Sequence, residues 1–175
     1  LLLWFEKTIY RSCSAVVALS PGQADCVRKM LTKEKPVTVI PNSCDIDVFR
    51  PDIDGSAVRL KRGWTLQDAS KVWQDKLVLL HTGAMGKVNG LGFVIDAAER
   101  LKEHSDIVFV LLGDGNQKSS LESRAKQLGL TNVEILPSVS KQQPAYPEAC
   151  PSGRLPAVLA AADVALVIIA KYPII

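Results

Sequence analysis

Between Leu77 and Leu112 the chain sets two unbroken apolar runs on either side of one amphipathic segment, and few folds accept that pattern. Lys76-Leu77-Val78-Leu79-Leu80-His81 and Ile107-Val108-Phe109-Val110-Leu111-Leu112 do not alternate apolar with polar residues, so each reads as a strand covered on both faces. Between them Leu91, Val94, Ile95, Ala98 and Leu101 share one helical face, with Glu99, Arg100, Lys102 and Glu103 opposite. The alternation continues: Leu121, Ala125 and Leu128 mark a second helix face, and Gly129 stands where a C-terminal cap belongs. Val133–Leu136 is a third strand, 142–153 a Pro-rich loop, Pro156–Ala162 a short helix and Val164–Ile169 a fourth strand. Buried strands separated by amphipathic helices predict an α/β fold, a Rossmann-like parallel sheet with helices on both faces. Ligands of such sheets sit beyond the C-terminal ends of the strands. That edge comprises Thr82–Gly90, Gly113–Asn116, Pro137–Lys141 and the segment after Ile169.

The first 48 residues repeat the logic on a smaller scale. Leu3–Cys13 reads as a helix and Ala15–Leu19 as a strand. Ser20-Pro21 starts a helix, since Ser caps and Pro fits the first turn. Val37-Thr38-Val39-Ile40 is a β-branched strand ending at Pro41-Asn42-Ser43. Residues 49–76 differ: a turn at Pro51–Gly55, then short polar helical pieces over Val58–Trp64 and Thr65–Trp73, read as a connector. Residues 77–175 then form the main domain, which stops without a closing element and begins without Met, so the chain reads as a fragment.

Composition removes several function classes. In 175 residues, 21 Lys and Arg against 18 Asp and Glu leave +3, too weak and too dispersed for a nucleic-acid binder. With 47% apolar residues the chain is not disordered, and no apolar run is long enough to span a bilayer. Cys13, Cys26, Cys44 and Cys150 lack C-x-x-C spacing and lie far in sequence from His81 and His104, so no metal or cofactor is expected. Four thiols in a chain that needs no disulfides read as free cysteines of a cytoplasmic protein.

Gly83, Gly86 and Gly90 between strand and helix carry the chemical signal. Absent side chains let backbone N–H groups approach an anion, the helix start adds partial positive charge, and Lys87 adds a full one. The alternative is that these glycines only make tight turns. The Walker pattern fails, because Val88 stands where its second Gly belongs. The dinucleotide fingerprint fails after Gly113-Asp114-Gly115, and no G-x-S-x-G elbow occurs.

The order of motifs resembles glycosyltransferase family 4, of two-domain GT-B architecture. Ala18-Leu19-Ser20-Pro21-Gly22, Val39-Ile40-Pro41-Asn42-Ser43-Cys44-Asp45 with Phe49-Arg50-Pro51, and Leu80–Gly86 with Asn89-Gly90-Leu91 and Asp96-Ala97-Ala98 are similar to that family's passages. So are Phe109–Gly115 and Leu155-Pro156 through Ala160-Ala161-Ala162-Asp163-Val164. The resemblance implies a retaining transfer of sugar from a nucleotide-diphospho-sugar to a glycan or lipid-linked acceptor, in surface polysaccharide or envelope glycan synthesis. Residues 1–48 would end the acceptor domain. Gly83, Ala84, Met85, Gly86, Lys87 and Asn89 would hold the donor diphosphate, and Gly113, Asp114, Gly115, Ser138 and Val139 the nucleotide. Pro41, Asn42 and Ser43 would face the cleft between domains. Many members place Arg after the first Gly and Lys-Gly before the helix; here Ala84 and Asn89-Gly90 stand instead. The family's Glu-rich segment belongs after Ile169 and is not in this sequence. The fragment alone is expected to be inactive.

Individual residues keep two readings. His81 is a core histidine bonded to backbone or a donor contact; Asp114 shapes its turn or touches ribose; Lys87 and Lys171 are ligands or solvated side chains. Asp163 is expected to cap or hydrogen-bond a loop. Arg59, Lys61, Arg62 and Trp64 are a solvated connector or a peripheral membrane contact. The rival functions are a nucleotide-sugar epimerase of the same architecture and a non-catalytic nucleotide-binding module.

Overall fold

The structure is a computed structural model and describes residues 2–67, 73–139 and 155–170. Up to Asp45 the chain forms one compact unit, and from Ile46 it forms another. In the first, helix α1 (Leu2–Ser12) leads to strand β1 (Val16–Ala18), helix α2 (Pro21–Met30) and strand β2 (Val37–Val39), with β1 and β2 parallel. Ser20 caps α2 as expected: its hydroxyl accepts the Gln23 N–H at 3.2 Å, and Pro21 follows. At the other end of α1, the Lys35 ammonium donates to the Tyr10, Arg11 and Cys13 carbonyls. A cation there answers the negative end of the helix dipole.

The second unit begins inside the segment expected to be a connector. Asp54 accepts the Ser56 N–H at 2.9 Å and its hydroxyl at 2.7 Å, which starts helix α3 (Ser56–Arg62) and holds the Asp54 carboxyl below the usual carboxylate range. Gly63 ends α3 at φ +65°. The helical piece expected over Thr65–Trp73 is instead an antiparallel ribbon of β3 (Thr65–Gln67) and β4 (Trp73–Asp75). Of the side chains read as a solvated connector, Lys61 is exposed, while Arg59, Arg62 and Trp64 are held against the sheet. Trp64 is 1% exposed, and its Nε1 donates to Glu134 Oε1 at 2.8 Å while Arg62 stands 3.6 Å from Glu134 Oε2. Arg59 donates to the Ala161 carbonyl at 2.6 Å, the Lys76 carbonyl at 2.7 Å and the Asp163 carboxylate at 3.2 Å. Asp163 also accepts the Val78 N–H at 2.8 Å, so it hydrogen-bonds backbone as expected. These side chains bind the supposed connector to the sheet. A Trp64→Phe variant, which keeps most of the ring but loses the donor to Glu134, is expected to lose about 1–2 kcal/mol in urea unfolding. A solvated connector would show no change.

The main sheet comprises β5 (Leu77–Ala84), β6 (Ile107–Asp114), β7 (Val133–Leu136) and β8 (Val164–Ala165). All its pairings are parallel, in the order β7-β6-β5-β8. Helix α4 (Gly92–Arg100) follows β5, α5 (Lys118–Gln127) follows β6 and α6 (Leu155–Ala160) precedes β8. Strand residues point alternately to two cores. Val78, Leu80, Val108, Val110 and Leu112 meet Val58, Trp64, Ala157, Val158 and Ala161 on one face. Phe109 and Leu111 meet Met85, Leu91, Val94, Ile95, Ala98 and Leu121 on the other. The doubly covered parallel sheet read from the apolar runs is therefore the fold. Gly129, at φ +63°, ends α5 as expected, with the Leu130 N–H bonded to the Ala125 carbonyl.

Two boundaries move. The strand expected to stop at His81 runs on to Ala84, and β6 likewise continues to Asp114, so Gly83 and Gly113 pair across the ladder. The strand expected over Val164–Ile169 keeps regular pairing only at Val164–Ala165. After Leu166 the chain leaves the ladder, and Ala170 N–H donates to the Val88 carbonyl at 2.8 Å.

Candidate functional site

Strand order sets the location. From β5 the chain moves outward to β6 and β7, then returns to the other side of β5 with β8. Crevices at such reversals, beyond the strand C-termini, are where these sheets bind ligands. Each segment expected there from sequence is there as far as it is described; Ser140, Lys141 and residues 171–175, Lys171 among them, lie outside the described residues.

A cavity of about 430 Å³ opens at this edge, lined by Thr82, Gly83, Ala84, Leu112, Gly113, Asp114, Ser138, Val139 and Leu155. Its size suits a small organic ligand. It joins residues expected from three separate stretches of sequence: Gly83 and Ala84 from β5, Gly113 and Asp114 from β6, Ser138 and Val139 after β7. Leu112 and Leu155 were not anticipated, while Thr82 stands at the start of the edge read from sequence. Leu112 pairs in register with Thr82 and shares the sheet face of Leu80 and Val110, so strand alternation could have identified it as a wall residue.

The two glycine-bearing strand ends are laced together. Met85 N–H donates to the Asp114 carbonyl at 2.8 Å, and the Met85 carbonyl accepts the Gln117 N–H at 2.9 Å. The Met85 side chain is fully buried. Met85 therefore anchors the loop, with both backbone groups and its side chain already engaged. Gly113 and Gly115 allow this closeness: a Cβ on Gly113 would lie 1.9 Å from the Gly83 oxygen, and one on Gly115 2.6 Å from the Met85 oxygen.

Beyond Met85 the loop proper begins. Gly86 leads into a 3-10 turn over Lys87–Asn89, and Gly90 ends it. Asn89 Nδ2 donates to the Ala84 carbonyl, bracing the loop from within. Lys87 is exposed on that turn. None of Gly86, Lys87 and Asn89 lines the cavity; they stand beside it, on the β8 side of Met85. Gly86 has open space where a Cβ would go, so the fold gives no reason for glycine there.

Asp114 does what a turn residue does, accepting the Gly115 N–H at 2.8 Å, and it also lines the cavity. His81 is 7% exposed and bonded through Nδ1 to the Leu166 carbonyl at 3.1 Å, the backbone-bonded reading. Pro41, Asn42 and Ser43 are exposed just after β2 in the first unit. Cys13, Cys26 and Cys44 are free thiols. Among the described residues no three His, Cys, Asp or Glu side chains gather as a metal site, and no helix is long and apolar enough to cross a membrane.

Comparison with known proteins bears on the fold and the family. Over 133 residues, 76% of this chain, the sequence is 31% identical to an Escherichia coli (strain K12) protein provisionally named colanic acid biosynthesis glycosyl transferase WcaI. The fold is similar to Anabaena Alr3699/HepE, solved in complex with UDP, at a TM-score of 0.63 and 20% identity over 91% of this chain. It is equally similar, at 0.63 and 20% over 89%, to WaaG, a glycosyltransferase involved in lipopolysaccharide biosynthesis. The chain spans 31% of the WcaI length, 39% of HepE and 38% of WaaG. The family profile for group 1 glycosyl transferases matches residues 64–167, from the buried Trp64 to just past β8. A match over more than half the sequence, on the unit that holds the cavity, makes this chain a member of the group 1 glycosyl transferases.

Proposed function

We propose that this chain carries the donor-binding part of a retaining glycosyltransferase that takes its sugar from a uridine-diphosphate donor, in the synthesis of a surface or envelope glycan. The observation that carries this is the single cavity uniting Gly83–Ala84, Gly113–Asp114 and Ser138–Val139 beside a glycine loop. Chemistry orders the ligand within it. An ionised carboxylate accepts hydrogen bonds but repels phosphate, so Asp114 suits ribose hydroxyls and the diphosphate lies away from it, toward Gly86–Asn89. Val139, Leu112 and Leu155 supply apolar surface for a planar base. The uridine choice is supported by HepE, solved in complex with UDP and with UDP-glucose.

In such an enzyme the loop's N–H groups and Lys87 stabilise charge building on the departing diphosphate, the main term in a reaction of this kind. The unit up to Asp45 is assigned to the acceptor side. A glycan or lipid-linked acceptor, and a peripheral hold on a membrane face, complete the reading.

Calorimetry tests it. UDP is expected to bind this chain with a dissociation constant between about 10 µM and 1 mM. The chain alone is expected to give no sugar transfer from UDP-glucose. Heat with neither UDP nor GDP would support a module that does not bind nucleotide, and measurable turnover would refute the division of labour.

A further inference from the structure

Among the described residues two polar side chains are buried, His81 and Asn132. Asn132 explains itself by its donors: its amide donates to the Ala98 and Leu101 carbonyls at 2.9 and 3.3 Å, closing the C-terminal end of α4, although its Oδ1, like His81 Nε2, is buried without a partner among the described residues. His81 does not. A carbonyl only accepts, so Nδ1 carries the proton toward Leu166. Nε2 is buried without a hydrogen-bond partner among the described residues. One ordinary hydrogen bond gives a small net gain, whereas a buried, unpartnered nitrogen keeps its full desolvation cost. Stability alone thus gives no reason for imidazole in place of an apolar ring.

What the ring does hold is position. Leu166 is where the chain leaves the β8 ladder. Four residues on, Ala170 N–H reaches the Val88 carbonyl at 2.8 Å, and a Cβ on Gly90 would come within 3.2 Å of the Ala170 methyl. The segment from Leu166 to Ala170 is therefore tied to β5 at its base and to the 3-10 turn at its tip. Packing holds one face of the segment, where Leu166 and Ile168 lie against the core of β5, β6 and α4; the other face is free, with Val167 87% exposed and Ile169 77%. The opposite side of the loop is already fixed to β6 through Met85. Only the β8 side depends on this segment.

We infer that His81 is a positioning residue of the donor loop: through the Leu166 carbonyl it holds residues 166–170 against Val88–Gly90 and so sets the loop in its ligand-meeting conformation. It touches no ligand itself. The inference deepens the donor-site reading and rests on it for its ligand arm.

Two variants separate positioning from packing. His81→Phe keeps an aromatic ring and loses the donor. His81→Asn places an amide N–H where imidazole Nδ1 stands. In His81→Phe the thermal midpoint is expected to stay within about 3 °C of wild type or rise. Without ligand, exchange of the Ala170 amide proton is expected to quicken about tenfold, and UDP affinity to fall about tenfold. His81→Asn is expected to restore both. Unchanged Ala170 exchange in His81→Phe overturns the inference. So does equal impairment of both variants with a fallen midpoint, the signature of a merely structural ring. If wild-type chain takes no heat from UDP, the donor reading fails, and amide exchange still decides whether His81 holds the loop.

Discussion

Replacing Gly86 by valine is expected to leave the chain folded and to weaken UDP binding about a hundredfold or more. The two halves of that result have separate causes. Gly86 has φ −99° and ψ 165°, an extended conformation that β-branched residues favour. A Cβ there meets nothing within 4 Å. Removing a glycine from a position that tolerates a side chain reduces the freedom of the unfolded chain, so stability is expected to hold or rise by about 0.5 kcal/mol. The open space is where a diphosphate would pass to reach the Lys87–Asn89 turn. An isopropyl group in it displaces the anion from two or so charge-assisted hydrogen bonds, each worth about 1.5–3 kcal/mol. Losing about 3 kcal/mol is a hundredfold in affinity. Urea unfolding and calorimetry on the same preparation read both effects. Unchanged affinity would place the diphosphate elsewhere and leave Gly86 a turn residue.

That contrast marks what the sequence could and could not tell. Three glycines around a strand end looked alike as letters, and all suggested an anion cradle. In the structure Gly83 lies within β5, paired with Gly113, where backbones crowd; Gly86 alone has free space in front of it. Periodicity cannot sort these cases, because the distinction depends on which strand lies alongside. The sheet itself was legible, since short apolar runs without alternation, set apart by amphipathic helices, are what doubly covered strands require. The site edge was legible for the same reason, because strand direction fixes it. Trp64 was misread for the opposite reason. Its segment, Arg59 to Trp64, is mostly polar and its other large apolar residue, Leu60, is exposed; the role of Trp64 comes from Glu134, 70 positions on. A long-range partner leaves no local trace. Met85 was drawn into the cradle by its neighbours in sequence, although an apolar side chain after a strand is as easily the lid of the core beneath it, and here it is.

Gly113→Ala is expected to have the largest effect on stability of any single methyl added near the site. The added carbon would fall 1.9 Å from the Gly83 oxygen, less than two-thirds of an ordinary contact, and the obstacle is backbone. No side chain can rotate away. Gly113 also sits at φ +155°, a conformation that L residues rarely adopt. Relief requires β5 and β6 to part at the Gly83–Gly113 pair, which also strains the Met85–Asp114 bond one step on. Strain of about 1–3 kcal/mol for the backbone and a similar amount for the clash sum to about 4 kcal/mol. Against a total stability of about 5–15 kcal/mol for a domain, that is a large share of what holds the unit together. The expected result is a urea midpoint lowered by about a quarter to four-fifths, with UDP binding lost because Gly83, Ala84 and Asp114 no longer share a wall. Should the variant fail to accumulate, Gly115→Ala gives a second measure. Its Cβ would meet the Met85 oxygen at 2.6 Å, beyond the end of the ladder, so the strands can stay paired while the turn opens. A smaller loss of stability with a comparable loss of binding is expected there. If both variants unfold like wild type, the close approach of the two glycine strand ends is not what builds this cavity.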